Sequence, residues 1–146
     1  MARVVVQKCL NSSVSVDGKL ISSIDKGLMV LVGFTHNDSS SDIDYLVNKI
    51  TKLRIFEDEF GVMNKSVIDT SGSILSISQF TLYGNTKHGN RPSYVEAIGS
   101  DEAIKLYDEF CSKLNNIVPT KKGVFKADMK VSLINDGPTT IIIDSK

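Results

Sequence analysis

The sequence predicts a single-domain α/β protein, residues 1–146, in which mixed or antiparallel, barrel-like β layers are covered by two main helices. Three observations predict it. Most of the chain reads as β-branched or alternating runs punctuated by turn residues, and only two stretches carry a helical apolar period. No Pro-rich linker, repeat or shift of composition divides the 146 residues, a length that suits one core rather than two.

The β structure begins at once. Residues 3–9 carry a valine run, and Ser13-Val14-Ser15-Val16 alternates polar with apolar. Asp17-Gly18 supplies the positive φ of a tight hairpin, with residues 19–24 as the return strand. Residues 28–34 are apolar nearly throughout, as in a strand buried on both faces. A helix follows: Ile43, Leu46, Val47, Ile50 and Leu53 fall at i, i+3, i+4, i+7 and i+10 and form one stripe. Ser39, Ser40 and Ser41 offer capping oxygens, and Asp42 and Asp44 suit the positive end of the helix dipole.

Residues 74–80 read as a strand running into a polar, glycine-bearing loop, residues 83–94. A second helix is expected over residues 101–115, capped by Ser100, with Ile104, Tyr107, Cys111 and Leu114 as its buried face. The cleanest alternation comes next. Phe125, Ala127, Met129, Val131 and Leu133 share one face, and Lys126, Asp128, Lys130 and Ser132 the other. Asn135-Asp136-Gly137-Pro138 breaks that strand, and residues 139–143 are a β-branched run that completes the sheet.

Composition narrows the functional classes. Apolar residues at 41% and charged residues at 23% provide a core, so the chain is not disordered by composition. Seventeen Lys+Arg against seventeen Asp+Glu give zero net charge, which argues against binding by bulk charge but leaves room for a local phosphate-binding patch. Cys9 and Cys111 are too far apart in sequence for a CxxC site and too few for a disulfide framework. The longest purely apolar run, residues 28–32, is far too short for a membrane span, and the first residues lack a signal-peptide pattern. The expectation is a soluble, cytoplasmic protein with no membrane partner. There is no phosphate-binding GxxxxGK[ST] or GxGxxG loop, and His36 and His88 lack further ligands at metal spacing, so neither a metal nor another cofactor is expected. Nothing around Ser78 resembles a strained nucleophile elbow.

Two segments remain. Ser78-Gln79-Phe80-Thr81-Leu82 stands at a strand end where N–H groups and hydroxyls emerge; locally it also reads as a plain strand entering a loop. Asn135-Asp136-Gly137-Pro138-Thr139-Thr140 reads locally as a hairpin turn, because Asn, Asp and Gly tolerate left-handed φ and Pro can open an edge strand. In this order and at this separation, the pair closely resembles the D-aminoacyl-tRNA deacylase family, the homodimeric type with a Gly–cis-Pro motif. The likeness covers nearly the whole chain. It takes in Ser13-Val14-Ser15-Val16-Asp17-Gly18, Arg54-Ile55-Phe56, Gly89-Asn90-Arg91-Pro92, Gly123-Val124-Phe125 and Met129-Lys130-Val131-Ser132-Leu133. One departure is visible: the family usually has Gln-Arg-Val near its start, and this chain has Gln7-Lys8-Cys9.

The resemblance implies a hydrolase that cleaves the ester of D-aminoacyl-tRNA, and of glycyl-tRNA mischarged on tRNA(Ala), in chiral proofreading. Such an ester is already activated, so the task is to position the carbonyl, a water and the adenosine 2′-hydroxyl and to stabilise an oxyanion. By resemblance, the backbone N–H groups of Phe80 and Thr81 face the substrate, and Ser78 and Gln79 shape the floor. The Thr81 hydroxyl is the one plausible protein nucleophile, although the family is better described as substrate-assisted. Phe125 and Met129 border the adenine, with core packing as the plainer alternative. Gly137 and Pro138 enter the active site of the other subunit of a homodimer, where successive carbonyls hold the α-amino group. Lys87 and Arg91, with His88, Lys121, Lys122 and Lys126, are candidates for tRNA phosphates; each also reads as a solvated charge. Two other classes stay open: a non-catalytic tRNA-binding dimeric module, and a thiol hydrolase using Cys9 or Cys111, the latter on an apolar helix face.

Overall fold

A strand of fourteen residues, β1 (Arg3–Val16), organises the sheet in the computed structural model, which describes residues 1–146. One edge of β1 pairs antiparallel with β8 (Lys130–Asp144), from Arg3↔Asp144 to Ser15↔Lys130. Its other edge is shared. Residues 3–9 pair with β3 (Gly27–Gly33), and residues 12–16 pair with β2 (Lys19–Ile24). The turn between β1 and β2 has φ of 51° at Asp17 and 76° at Gly18, the conformation that the Asp-Gly pair predicts. On the far side of β3 the pairing becomes parallel, first to β6 (Ser73–Ser78) and then to β7 (Thr120–Lys122). Ser22 Oγ on β2 donates to the Lys122 carbonyl of β7 at 2.8 Å, so the mixed sheet curls nearly into a barrel. A small hairpin, β4 (Phe56–Glu57) and β5 (Met63–Lys65), forms a separate two-stranded sheet.

Alternation along β3 explains why it reads as wholly apolar. Leu28, Val30 and Val32 join the main core beneath α1 (Ser40–Lys52) and α2 (Ser100–Asn115). Met29 faces a second, smaller core with Cys9, Val14, Ile24, Leu75 and Ile77. Each fully buried aliphatic side chain of this kind contributes about 1.5–3 kcal/mol relative to exposure. In α1 the expected stripe holds: Ile43, Leu46, Val47 and Ile50 are buried, and Leu53 stands half-buried at the C-cap. Ser39 is the N-cap, and its N–H donates to Asp42 Oδ2 at 2.9 Å.

Four expectations are corrected. The N-cap of α2 is Gly99, with Ser100 already helical, and the buried face is Ala103, Tyr107, Phe110, Cys111 and Leu114. Ile104 is 40% exposed, because the true stripe starts one residue earlier and runs through Phe110. The strand expected to reach Phe80 ends at Ser78, and residues Phe80–Tyr83 form a short 3-10 helix. Residues 125–129 are not a strand. Lys126 has φ of +71° and the Ala127 N–H donates to the Val124 carbonyl at 3.2 Å, which makes a turn, yet the side chains still alternate between half-buried and exposed. Finally, Asn135-Asp136-Gly137-Pro138 neither ends a strand nor turns a hairpin. Asn135 aligns with Cys9 and Thr140 with Gln7, so Asp136, Gly137, Pro138 and Thr139 bulge out opposite Lys8 alone. No helix is long and apolar enough to cross a membrane.

Candidate active site

Parallel strands leave unpaired backbone groups and diverging loops at their C-terminal ends, the usual place for a ligand cleft. Here β3 and β6 both end at the mouth of a cavity of about 500 Å³. Its floor is Ile77, Ser78, Gln79 and Phe80; the first turn of α2 and the segment with Phe125 and Met129 form its sides.

The floor is held by main-chain contacts. Gln79 N–H donates to the Val32 carbonyl at 2.7 Å, which docks the end of β6 on β3. Leu82 N–H then returns to the Gln79 carbonyl at 3.3 Å and Gly84 N–H to the Thr81 carbonyl at 2.9 Å, closing the 3-10 helix. Phe80 and Thr81 open that helix, where N–H groups have no partner within it. Gly33 permits this close approach: a Cβ there would lie 2.8 Å from the Gln79 carbonyl oxygen. The Phe80 ring is 56% exposed and packs edge-on against Tyr94, with centroids 5.1 Å apart. The Thr81 hydroxyl accepts from the Gln79 side-chain amide, so its neighbour is not a base. On the opposite side, the ring of Phe125 lies 5.9 Å from that of buried Tyr107.

The two thiols lie away from this chemistry. Cys9 is buried and its thiol is pushed up to about 11 by desolvation. Cys111 is also buried and raised by desolvation, and its S–H donates to Ser76 Oγ at 3.3 Å. A thiol hydrolase needs an accessible thiolate, and neither cysteine supplies one. His36 is a structural tether, with Nε2 at 2.8 Å from the Val95 carbonyl, and beside it the Thr35 hydroxyl donates to the Glu96 carbonyl. Beyond that base, an Asn85–Ser93 bridge closes an exposed loop that carries Lys87, His88 and Arg91.

The bulge of β8 is built differently. The Gly137–Pro138 peptide is cis, and Gly137 has φ of +123°, where a Cβ would lie 2.6 Å from Thr139 Oγ1. Asn135 clamps the bulge from within: its Oδ1 accepts the Thr139 N–H at 2.9 Å and its Nδ2 donates to Thr140 Oγ1 at 3.0 Å. Beneath it lies Lys8, its side chain 7% exposed, with Nζ 3.7 Å from Asp136 Oδ2 and 5.6 Å from the Phe56 ring centroid. The sequence places Asn135 in the motif only as a turn residue, and its role as the clamp emerges from the structure. Its signal was present, since Asn side chains commonly bond back to nearby backbone in turns.

Of the residues singled out from sequence, Ser78, Gln79, Phe80, Phe125 and Met129 come together around the cavity. Thr81 adjoins it through Gln79. Gly137 and Pro138 are exposed and lie outside the cavity lining of their own chain, and Lys87 and Arg91 stand on the exposed loop.

A family model described as D-Tyr-tRNA(Tyr) deacylase matches residues 5–144. The chain belongs to that family. Its enzyme class is therefore that of a deacylase, as the resemblance implied. Curated relatives named D-aminoacyl-tRNA deacylase agree: one from Clostridium tetani is 56% identical over 145 residues, covering 99% of this chain and 97% of the relative. Another, from Bacteroides fragilis strain YCH46, is 53% identical over 146 residues with the same coverage. Among solved structures, the c-Myc DNA Unwinding Element Binding Protein superposes with a TM-score of 0.93 at 38% identity over 99% of both chains. A probable eukaryotic D-amino acid tRNA deacylase superposes with a TM-score of 0.84 at 18% identity over 98% of both chains, a likeness of fold.

Proposed function

We propose that this protein hydrolyses the ester joining a D-amino acid, or glycine mischarged on tRNA(Ala), to the terminal adenosine of tRNA in the cytoplasm. The observation that carries the reading is the cavity over Ser78, Gln79 and Phe80, in a family member whose near-full-length relatives are named D-aminoacyl-tRNA deacylase. The geometry suits an activated ester. Phe80 and Thr81 N–H groups at the start of the 3-10 helix are aligned donors for an oxyanion, and rigid donors of this kind act without reorganising. With Thr81 bonded to an amide rather than a base, water is the nucleophile and the substrate 2′-hydroxyl assists it. Phe125 and Met129 border the adenine, and Ser78 and Gln79 shape the floor.

Chirality is read by Gly137 and Pro138 of the partner subunit, whose carbonyls grip the α-amino group. Two observations support a homodimer. On their own chain these residues are exposed and lie outside the cavity lining. They also belong to β8, which pairs only with β1 and carries Ile134 and Ile142 at 53% and 66% exposure. A long apolar edge strand of this kind is normally covered. Lys87 and Arg91 supply phosphate contacts for tRNA. The direct test is release of amino acid from D-aminoacyl-, glycyl- and L-alanyl-tRNA at equal enzyme. Release of the first two and sparing of the third is the expected result. Tight tRNA binding with no release would instead make the chain a non-catalytic tRNA-binding module.

A further inference from the structure

Behind the wall that carries Phe125 and Met129 lies a buried polar node that the proposed chemistry does not use. The carbonyl of fully buried Ser76, in the middle of β6, accepts from the Tyr107 hydroxyl at 2.7 Å and from the Gly123 N–H at 3.2 Å. The first donor comes from α2 and the second from the residue at which the chain leaves β7. From Gly123 to Met129 the wall has no strand or helix of its own, so this node fixes where it starts. Tyr107 is 2% exposed and its ring also packs on that of Phe125. At Gly123 space rather than φ demands glycine: a Cβ would fall 2.6 Å from Met129 Sδ and 3.1 Å from Ile77 Cδ1.

We propose that Tyr107 and Gly123, neither of which lines the cavity, are positioning residues that set its width for the terminal nucleobase. Tyr107 holds Phe125 and the start of the wall; Gly123 leaves room for the thioether of Met129. The inference rests on the reading that Phe125 and Met129 border the adenine. An unbranched thioether adapts easily, so a Cβ at position 123 displaces Met129 without unfolding the protein. Ile77 blocks one direction, and the displaced sulfur moves toward the open cavity.

Steady-state kinetics on D-aminoacyl-tRNA test it. Gly123→Ala should raise KM about tenfold, the scale of a methylene-sized misfit, with kcat and melting temperature nearly unchanged. In a Met129→Ala background the same substitution should add little, because the sulfur it meets first is gone and only the looser contact with Ile77 Cδ1 at 3.1 Å remains. Tyr107→Phe keeps the ring, removes the hydroxyl and should raise KM several-fold at near-constant kcat. An unchanged KM in Gly123→Ala, a loss confined to kcat, or full additivity with Met129→Ala would overturn the role of Gly123. A wild-type KM in Tyr107→Phe would remove Tyr107. If Phe125→Ala and Met129→Ala themselves leave KM unchanged, the adenine reading fails, a result distinct from failure of the positioning residues alone.

Discussion

The strand end at residues 78–83 and the bulge at residues 135–140 are both short, polar and irregular, yet they are held in opposite ways. Backbone hydrogen bonds to Val32, Gln79 and Thr81 fix the first, so its donors are placed almost regardless of side chain. Side chains fix the second: the Asn135 amide spans the bulge, and Lys8 faces Asp136 from below. The difference separates two kinds of vulnerability. The strand end should fail when a backbone donor is removed and tolerate loss of a side chain. The bulge should fail when a side chain is removed.

The largest effect should follow removal of a single N–H. Phe80→Pro deletes one donor at the first position of the 3-10 helix, where proline fits, and Gln79, with φ of −144° and ψ of 83°, lies outside the helical region that a following proline disfavours. Loss of one oxyanion donor costs about 10²–10³-fold in kcat, and that is the expected fall, with the circular dichroism spectrum preserved. A loss below tenfold would mean that the Phe80 N–H does not face the reaction. The same variant tests the dimer. Mixed with a subunit carrying Gly137→Ala, in which the Cβ collides with Thr139 Oγ1 at positive φ, it should regain about one working site per heterodimer. No recovery after verified subunit exchange would mean that the site is built within one chain.

Asn135→Ala comes next. It strips the Thr139 N–H, in a residue only 8% exposed, of its side-chain acceptor. Unsatisfied buried donors cost about 1–3 kcal/mol, so the melting temperature should drop measurably and kcat/KM should fall by about 10–100-fold. Asn135→Asp retains the acceptor and should recover much of the loss. Equal damage from both substitutions would show that Nδ2 and Thr140, not the Thr139 N–H, hold the bulge.

How much of this was legible in the sequence follows the same division. Strands and helices with their own period were readable, because Val4, Val6, Ile43 and Leu46 each declare a face by spacing alone. Residues 125–129 alternate like a strand and even half-bury alternate side chains, but a period of two records which way side chains point, not whether the backbone is paired. Helix α2 misled by one residue because Ile104 and Ala103 compete for the first core position, and packing selected the smaller. The cavity was not legible as a shape. It depends on parallel pairing of β3 with β6, two segments separated by a helix and a hairpin, which no local pattern encodes. The motif residues were legible, whereas the clamp on the bulge was not, because Asn135 looks like any turn residue until its acceptor and donor are seen to bridge Thr139 and Thr140.

Thr81→Ala measures the tolerance expected of the strand end. The hydroxyl accepts from Gln79 and is not needed for the backbone donors, so the expected loss is about tenfold or less. A fall beyond roughly a thousandfold with folding intact would indicate a Thr81 acyl-enzyme, since a covalent nucleophile acts as a unit with its partners.

The smallest effect should come from Lys8→Arg. Lys8 is nearly buried, and its ammonium lies 3.7 Å from Asp136 Oδ2, a longer contact than a charge-assisted hydrogen bond. Its other neighbour is the face of Phe56, on which a guanidinium stacks at least as well as an ammonium does. Arginine therefore keeps both interactions and adds a planar fork that can hold two oxygens of the bulge at once. The cost is the fit of a larger head under the bulge, where Asp136 is 38% exposed and free to shift outward. These terms oppose one another, and the expected outcome is kcat/KM within about twofold of wild type, with equal or better rejection of L-alanyl-tRNA. Lys8→Met, which retains the stem and loses the charge, should be worse than Lys8→Arg, because only the charge reaches Asp136. A loss beyond about tenfold in Lys8→Arg would show that the space between Asp136 and Phe56 is shaped for an ammonium. The bulge of this chain would then be fitted around lysine, and lysine in place of the arginine that the resemblance leads one to expect would be a different way of holding the turn rather than a tolerated substitution.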